Sequence, residues 1–306
     1  MDVSIVLGTA LVAAGFVFTL FCNFQAAIGP DSEYSLGWFN STIGNLSGEY
    51  PSPITPAGYA FSIWSLIYLW MAVWILYIIM TLFRTNARGP VYLNPPVTSL
   101  PFLLSVFLGN SLNILWLFVW DREMLTVSAI VLVSSTLVLY VALMIILTRV
   151  WTFLREFLAV SSADLWACRV LVGNGLAIYC AWTTIAAQVA VSVSLLYDAG
   201  LPSDTVVYIC LSVLAAELIV FFALDVSILD PYTRHVFTIY PVFIWALSAL
   251  LVANSEETDA PQFLLGAILL GISCVCFVTK TLLSIFRPAL GEEYGDRSAI
   301  KFKQLI

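Results

Sequence analysis

The stretch Pro53–Tyr77, PITPAGYAFSIWSLIYLWMAVWILY, decides what kind of molecule this is. It is a membrane-length apolar run that opens on Pro56, carries three tryptophans and contains no charge. Wound into a helix, it has two opposed aromatic faces. Phe61, Trp64 and Tyr68 follow one another at i, i+3, i+7, and Trp70, Trp74 and Tyr77 follow at i, i+4, i+7 on the other side. Aromatic rings in membrane helices gather at the interfaces as a belt. Trp64 and Tyr68 fall two to three turns inside, where an indole NH or a phenol OH needs a partner. A buried aromatic wall is the expectation.

The rest of the chain reads the same way. Apolar residues make up 61% and charged residues 10% of the 306, and the charges cluster between long uncharged runs. A water-soluble domain does not have that composition. Eight spans are expected, at about Val3–Cys22, Ala57–Phe83, Ser99–Trp120, Met124–Val150, Arg169–Tyr197, Thr205–Ile228, Val236–Ala253 and Gln262–Phe286. Each comes close to the roughly 17–25 apolar residues that cross a hydrocarbon core. The fold class is an all-α polytopic membrane helix bundle.

Basic residues orient it. With Met1 cytoplasmic, Arg84, Arg88, Arg149, Arg155, Arg169, Arg234, Arg287, Arg297, Lys301 and Lys303 fall in or beside cytoplasmic segments, and only Arg122 is outside. Asp31, Glu33, Glu49, Asp121, Glu123, Asp198, Asp204, Glu256, Glu257 and Asp259 collect on the other face. This positive-inside pattern places both termini, including a tail over 287–306, in the cytoplasm. The loop Asn23–Thr55, placed outside by the same charges, carries two sequons, Asn40-Ser41-Thr42 and Asn45-Leu46-Ser47. Asn40 and Asn45 are therefore expected glycosylation sites, which favours a plasma or secretory-pathway membrane. Span one lacks a basic leader and exceeds a signal-peptide core, so it is read as a retained helix.

Several classes drop out. The six cysteines lie in or beside spans, which argues against a disulfide framework. With a single histidine, His235, neither a metal site nor a histidine-based triad is expected. No phosphate-binding glycine loop points to an ATP-driven pump, and the acidic balance argues against nucleic acid. The partners left are the lipid bilayer, a small hydrophobic ligand and further copies of the chain.

Three local patterns then stand in order: Pro56-Ala57-Gly58-Tyr59-Ala60-Phe61 with Trp64 and Tyr68; Leu112-Asn113-Ile114-Leu115-Trp116 ending at Trp120; and Tyr179-Cys180-Ala181-Trp182 leading to Ala186. Together they resemble the TspO/translocator family, also called tryptophan-rich sensory proteins or peripheral benzodiazepine receptors. The resemblance covers about residues 1–197. It departs at Ile54, at Ala57 and at Ala190, where the family has tryptophan, a second proline and often asparagine. Spans six to eight, over 198–286, have no counterpart in the five-helix form and suggest a longer branch.

What the resemblance implies is a helix bundle with a pocket near the first loop for a planar hydrophobic ligand, with a sensory or ligand-handling role. A tetrapyrrole, such as a bound porphyrin, and a sterol are the implied ligands. Phe61, Trp64, Tyr68, Asn113, Trp116 and Trp182 are the positions that carry over. Counting inward at about 1.5 Å per residue puts Trp64 and Asn113 at the same depth, roughly 10 Å. The plainer reading of the same residues is helix packing, with Asn113 bonding a neighbouring helix.

A second constellation lies in the later spans. Glu217 falls mid-span in the sixth, and Asp225 and Lys280 lie towards the inner ends of the sixth and eighth. Ionisable groups at such depth are costly and usually face the bundle or a partner. If spans six and eight touch, Asp225 is at the depth of Lys280, and Glu217 is left to Gln188 or Asn174. The functional alternative is a secondary transporter using Glu217, Asp225 and Lys280; a structural ion pair is the other. An enzyme acting on a bound tetrapyrrole is a third class.

Overall fold

The computed structural model describes residues 2–287, so the tail expected over 287–306 lies, beyond Arg287, outside the described residues. The chain is an all-α bundle. Its helices are α1 (Val3–Ile28), α2 (Ile43–Glu49), α3 (Ile63–Thr81), α4 (Leu100–Asp121), α5 (Leu125–Thr152), α6 (Leu154–Val160), α7 (Ser162–Ala167), α8 (Asn174–Tyr197), α9 (Ser203–Asp225), α10 (Asp230–Thr233), α11 (Ile239–Ala253) and α12 (Pro261–Phe286). Among the described residues seven helical stretches are long and apolar enough to cross a membrane. The expected span left over, the seventh in chain order, is α11, which has only 15 residues.

The short α11 is held by polar contacts at both ends. At one end Phe237 N donates to Asn174 Oδ1 at 2.8 Å, while Asn174 Nδ2 donates to His235 O at 2.7 Å. At the other end Asn254 Nδ2 donates to Pro53 O at 3.2 Å, and Ala57 N donates to Ala249 O at 3.1 Å. The backbone before α11 dips into the bundle because Asn174 satisfies polar groups that would otherwise be orphaned away from water. The expected start at Val236 is therefore three residues early.

Other boundaries shift for similar reasons. The first helix continues past Cys22 to Ile28, where Gly29 caps it at φ 69°. Its last turn is held by Gln25, which accepts from Leu36 N at 2.9 Å and donates to Tyr34 O at 3.2 Å. The connector 150–168 is two short helices, α6 and α7. A π-helical turn, Cys168–Gly173, joins α7 to α8 in one run of 36 residues, Ser162–Tyr197. Helix α3 opens through a 3-10 turn, Gly58–Ser62, one turn later than the apolar run suggests.

Helix α8 is the axis, with every residue from Asn174 to Ile185 buried. It packs against α3, α5, α9 and α11, while α4 packs on α1 and α5, and α12 packs on α9 and α11. Small residues set the closest approaches. A Cβ on Gly175 would lie 2.6 Å from Trp70 Cδ1 and 3.0 Å from Trp74 Cδ1, and one on Gly109 would lie 2.7 Å from a Leu139 methyl. The second aromatic face of α3 is thus spent on packing: Trp74 is fully buried against Phe102 and Gly175, and Tyr77 Oη donates to Asp164 Oδ1 at 3.2 Å.

Charge divides the bundle into two ends. At the basic end, Arg84 forks onto Asp164 at 2.8 and 3.1 Å, Arg287 meets Asp230 at 2.8 Å, and Arg149 donates to the carbonyls of Pro96 and Val97. The opposite end carries α2 and the first loop, which Asp121 anchors by accepting from Asn40 N at 2.8 Å and Ser41 N at 3.1 Å.

Candidate functional site

The first aromatic face of α3 lines a cavity. Trp64 and Tyr68 stack at 5.4 Å between ring centres, and across the space Trp116 and Trp120 of α4 stack at 6.1 Å. Trp182 of α8 stands edge-on to Trp64 at 6.4 Å and to Phe61 at 5.7 Å. The cavity enclosed at the loop end measures about 290 Å³. Small-molecule sites run from roughly 300 to 1,000 Å³, so this one takes a compact ligand whole and a larger one only in part.

Each wall follows from sequence. On α8, Ala186 and Ala190 fall one turn apart on the same side, so the helix contributes space where α3 and α4 contribute rings. Asn23 and Ala27 come from the continued last turns of α1. Over the mouth lie Ile43, Ser47 and Tyr50, from α2 and the residue after it. Thr42 caps α2 by accepting from Asn45 N at 3.1 Å, and Leu46 is buried beside Trp120 and Val193.

The cover is pinned at its far edge. Tyr50 Oη donates to Glu123 at 2.5 Å, which holds that phenol above its usual pKa. Tyr197 Oη donates to Pro51 O at 2.9 Å, and the Ser52 and Ser192 hydroxyls meet at 2.6 Å. Helix α11 holds the next stretch, since Trp245 Nε1 donates to Ala60 O at 3.0 Å.

The polar groups of the lining are uncharged, and Asn23, Ser47, Thr55 and Ser65 can accept hydrogen bonds as well as donate them. Tyr68 Oη and the indole nitrogens of Trp116, Trp120 and Trp182 are buried and have no hydrogen-bond partner among the described residues. An indole NH can only donate. The lining has no Asp, Glu, Lys, Arg or His. The arrangement can therefore sandwich a flat apolar body and hydrogen-bond a neutral polar group on it, without a charge to pair with an ionised group.

Of the six residues singled out from sequence, Phe61, Trp64, Tyr68, Trp116 and Trp182 line this cavity, and Asn113 does not. Asn113 shares the face of α4 with Trp116 but sits one turn deeper, 1% exposed, with Oδ1 unpartnered. Helical spacing fixes a direction and leaves depth open, which is why Asn113 was grouped with its neighbours. Asn23 and Tyr50 escape the sequence reading because both depend on the course of the first loop. Asn40 and Asn45 are both exposed at this end.

The later constellation falls into two separate parts. Lys280 Nζ meets Asp225 Oδ1 at 2.7 Å and Tyr240 Oη donates to Asp225 Oδ2 at 2.7 Å, with the lysine and aspartate each 1% exposed. Glu217 is elsewhere, on the exposed flank of α9, where Gln188 Nε2 donates to its two oxygens at 3.3 and 3.2 Å. Asn174, the other partner considered for it, is taken up by α11.

These features define a polytopic membrane protein whose helices enclose an aromatic cavity at one end. Residues 9–282 match the model of the family described as TSPO-like protein, and the chain belongs to that family. The match runs through most of α12, so the helices after residue 197 are part of the family's architecture, beyond the reach of the local motifs. Neither the curated proteins nor the solved structures contain a match.

Proposed function

We propose that this protein binds a neutral, flat hydrophobic small molecule in the aromatic cavity and serves in sensing or handling that ligand. The observation that carries the reading is the cavity of about 290 Å³ bounded by two stacked aromatic pairs, with four buried donors lacking partners. Unpaired buried donors cost about 1–3 kcal/mol each, and an acceptor on the ligand recovers part of that. Between the two ligand classes implied by the resemblance, the lining favours a sterol-like molecule. A porphyrin's carboxylates find no cation there.

The transporter reading has less support. Asp225 and Lys280 satisfy each other and Tyr240, and Glu217 faces the flank of the bundle. The charge pattern supports a cytoplasmic basic end and an outer cavity end, in a plasma or secretory-pathway membrane where Asn40 and Asn45 receive glycans.

The test is titration of intrinsic tryptophan fluorescence of the purified protein, with dehydroergosterol, a sterol whose conjugated triene accepts energy from tryptophan, and with protoporphyrin. Saturable quenching by the sterol is expected. It should weaken in Trp64→Phe and vanish in Ala190→Phe, which fills the space from α8. Equal affinity in wild type and Ala190→Phe, with both variants folded, would remove this cavity from consideration.

A further inference from the structure

A second polar feature lies outside that cavity, and the function above makes no use of it. Glu217 is the fifteenth residue of α9, and counting back from Asp225 at about 1.5 Å per residue places it roughly 12 Å from the basic end. It is exposed on a flank that is otherwise apolar, next to Val213 and Val220. Below it, Gln188 of α8 donates to both carboxylate oxygens, at 3.3 and 3.2 Å. One turn along α8, the Thr184 hydroxyl meets Tyr140 Oη of α5 at 3.2 Å. Three helices thus bring Glu217, Gln188, Thr184 and Tyr140 into one polar strip opening on the bilayer.

The strip lacks a counter-charge. Among the described residues no ion pair involves Glu217. Lys280 is committed to Asp225, and the arginines sit at the helix ends. An acid at this depth is expensive unless something pairs with it. The Gln188 amide supplies one donor group and leaves further lone pairs of both oxygens open on the exposed side.

We propose that this flank is a second ligand site, for a lipophilic amine that enters sideways from the bilayer, with Glu217 as its counter-charge. An ammonium brings up to three donors and a positive charge, and charge-assisted hydrogen bonds to a carboxylate are about twice as strong as neutral ones. Its alkyl body lies along the apolar flank of α9. The two sites then differ in charge: the end cavity is lined by uncharged residues, and the flank offers a carboxylate to a cation.

The experiment uses the full chain in phosphatidylcholine nanodiscs. Dicyclohexylcarbodiimide, which adds to carboxyl groups reachable from the bilayer, is expected to label Glu217 and to spare Asp225, as read by peptide mass spectrometry. N,N-Dimethyldodecylamine, a tertiary amine that the activated carboxyl cannot acylate, should slow that labelling about tenfold, whereas dodecanol, with the same chain and no charge, should leave it unchanged. The same amine should also raise the melting temperature of the wild type and not of Glu217→Gln, an exposed position where the amide keeps the shape. Protection should persist in Ala190→Phe; its loss there would place the amine in the end cavity and overturn the proposal. Absent labelling, or equal protection by amine and alcohol, would overturn it as well.

Discussion

Removing one member of the Asp225–Lys280 pair should cost far more than removing both. The two groups meet at 2.7 Å, each is 1% exposed, and Tyr240 occupies the second carboxylate oxygen at 2.7 Å. At an effective dielectric of about 20, charges about 4 Å apart attract by about 4 kcal/mol. Withdrawing two ions from water costs several kcal/mol for each, so the net contribution of the intact pair is small. Lys280→Met alone leaves a carboxylate facing α12 with only Tyr240 as donor, and a loss of about 3–5 kcal/mol is expected. Asp225→Asn alone leaves an ammonium in an apolar seam and should cost a similar amount. The double variant should recover most of that loss, giving a coupling of about 3 kcal/mol in a double-mutant cycle. The assay is thermal unfolding in detergent followed by size-exclusion chromatography, where each single change should lower the melting temperature by on the order of 10 °C. Additive losses would refute the reasoning, because they would mean that neither charge was buried at the expense of the other.

Three further outcomes follow from the geometry. Gly175→Val should destabilise the bundle by about 1–3 kcal/mol, since even a Cβ there lies 2.6 Å from Trp70 and 3.0 Å from the buried Trp74; a melting curve like that of wild type would contradict the packing. Expressed in eukaryotic cells, the protein should shift to higher mobility on glycosidase treatment, and a combined Asn40→Gln and Asn45→Gln variant should show no shift. His235 is held neutral by burial and by neighbouring Arg169 and Arg234, its pKa lowered from 6.5 to about 4. The unfolded chain therefore binds the extra proton between those values, and stability should fall as pH drops from 6.5 towards 4, by at most about 3 kcal/mol; His235→Phe should flatten that part of the pH profile.

What could be read from the chain alone was whatever depends on one helix at a time. Run length gave the spans, and the 3.6-residue period separated Phe61, Trp64 and Tyr68 from Trp74 and Tyr77, which the structure sends to a cavity and to packing. Depth along two spans put Asp225 level with Lys280, a pairing conditional on contact between those spans, which α9 and α12 make. What escaped depends on contacts between distant segments. The truncation of α11 rests on Asn174, some sixty residues earlier, and the extension of α1 rests on Gln25 bonding a loop that has no periodicity. Asn113 shows the limit most clearly, since it lies one turn from Trp116 on α4 yet is buried outside the cavity lining.

The same long-range contacts bear on how the cavity works. The segment from Pro51 to Ala60 carries Thr55 and Pro56 into the cavity wall and leads into the turn that aims Phe61 and Trp64. It is held on one side by Ser192 and Tyr197 of α8, and on the other by Ala249, Asn254 and Trp245 along α11 and just beyond its end. Helix α11 is in turn packed on α12, whose Lys280 is tied to Asp225 of α9. The later helices are therefore a brace for the entrance to α3. In our reading, loosening Trp245 or Asn254 should weaken ligand binding without touching a single lining residue, a coupling that the five earlier spans alone could not have.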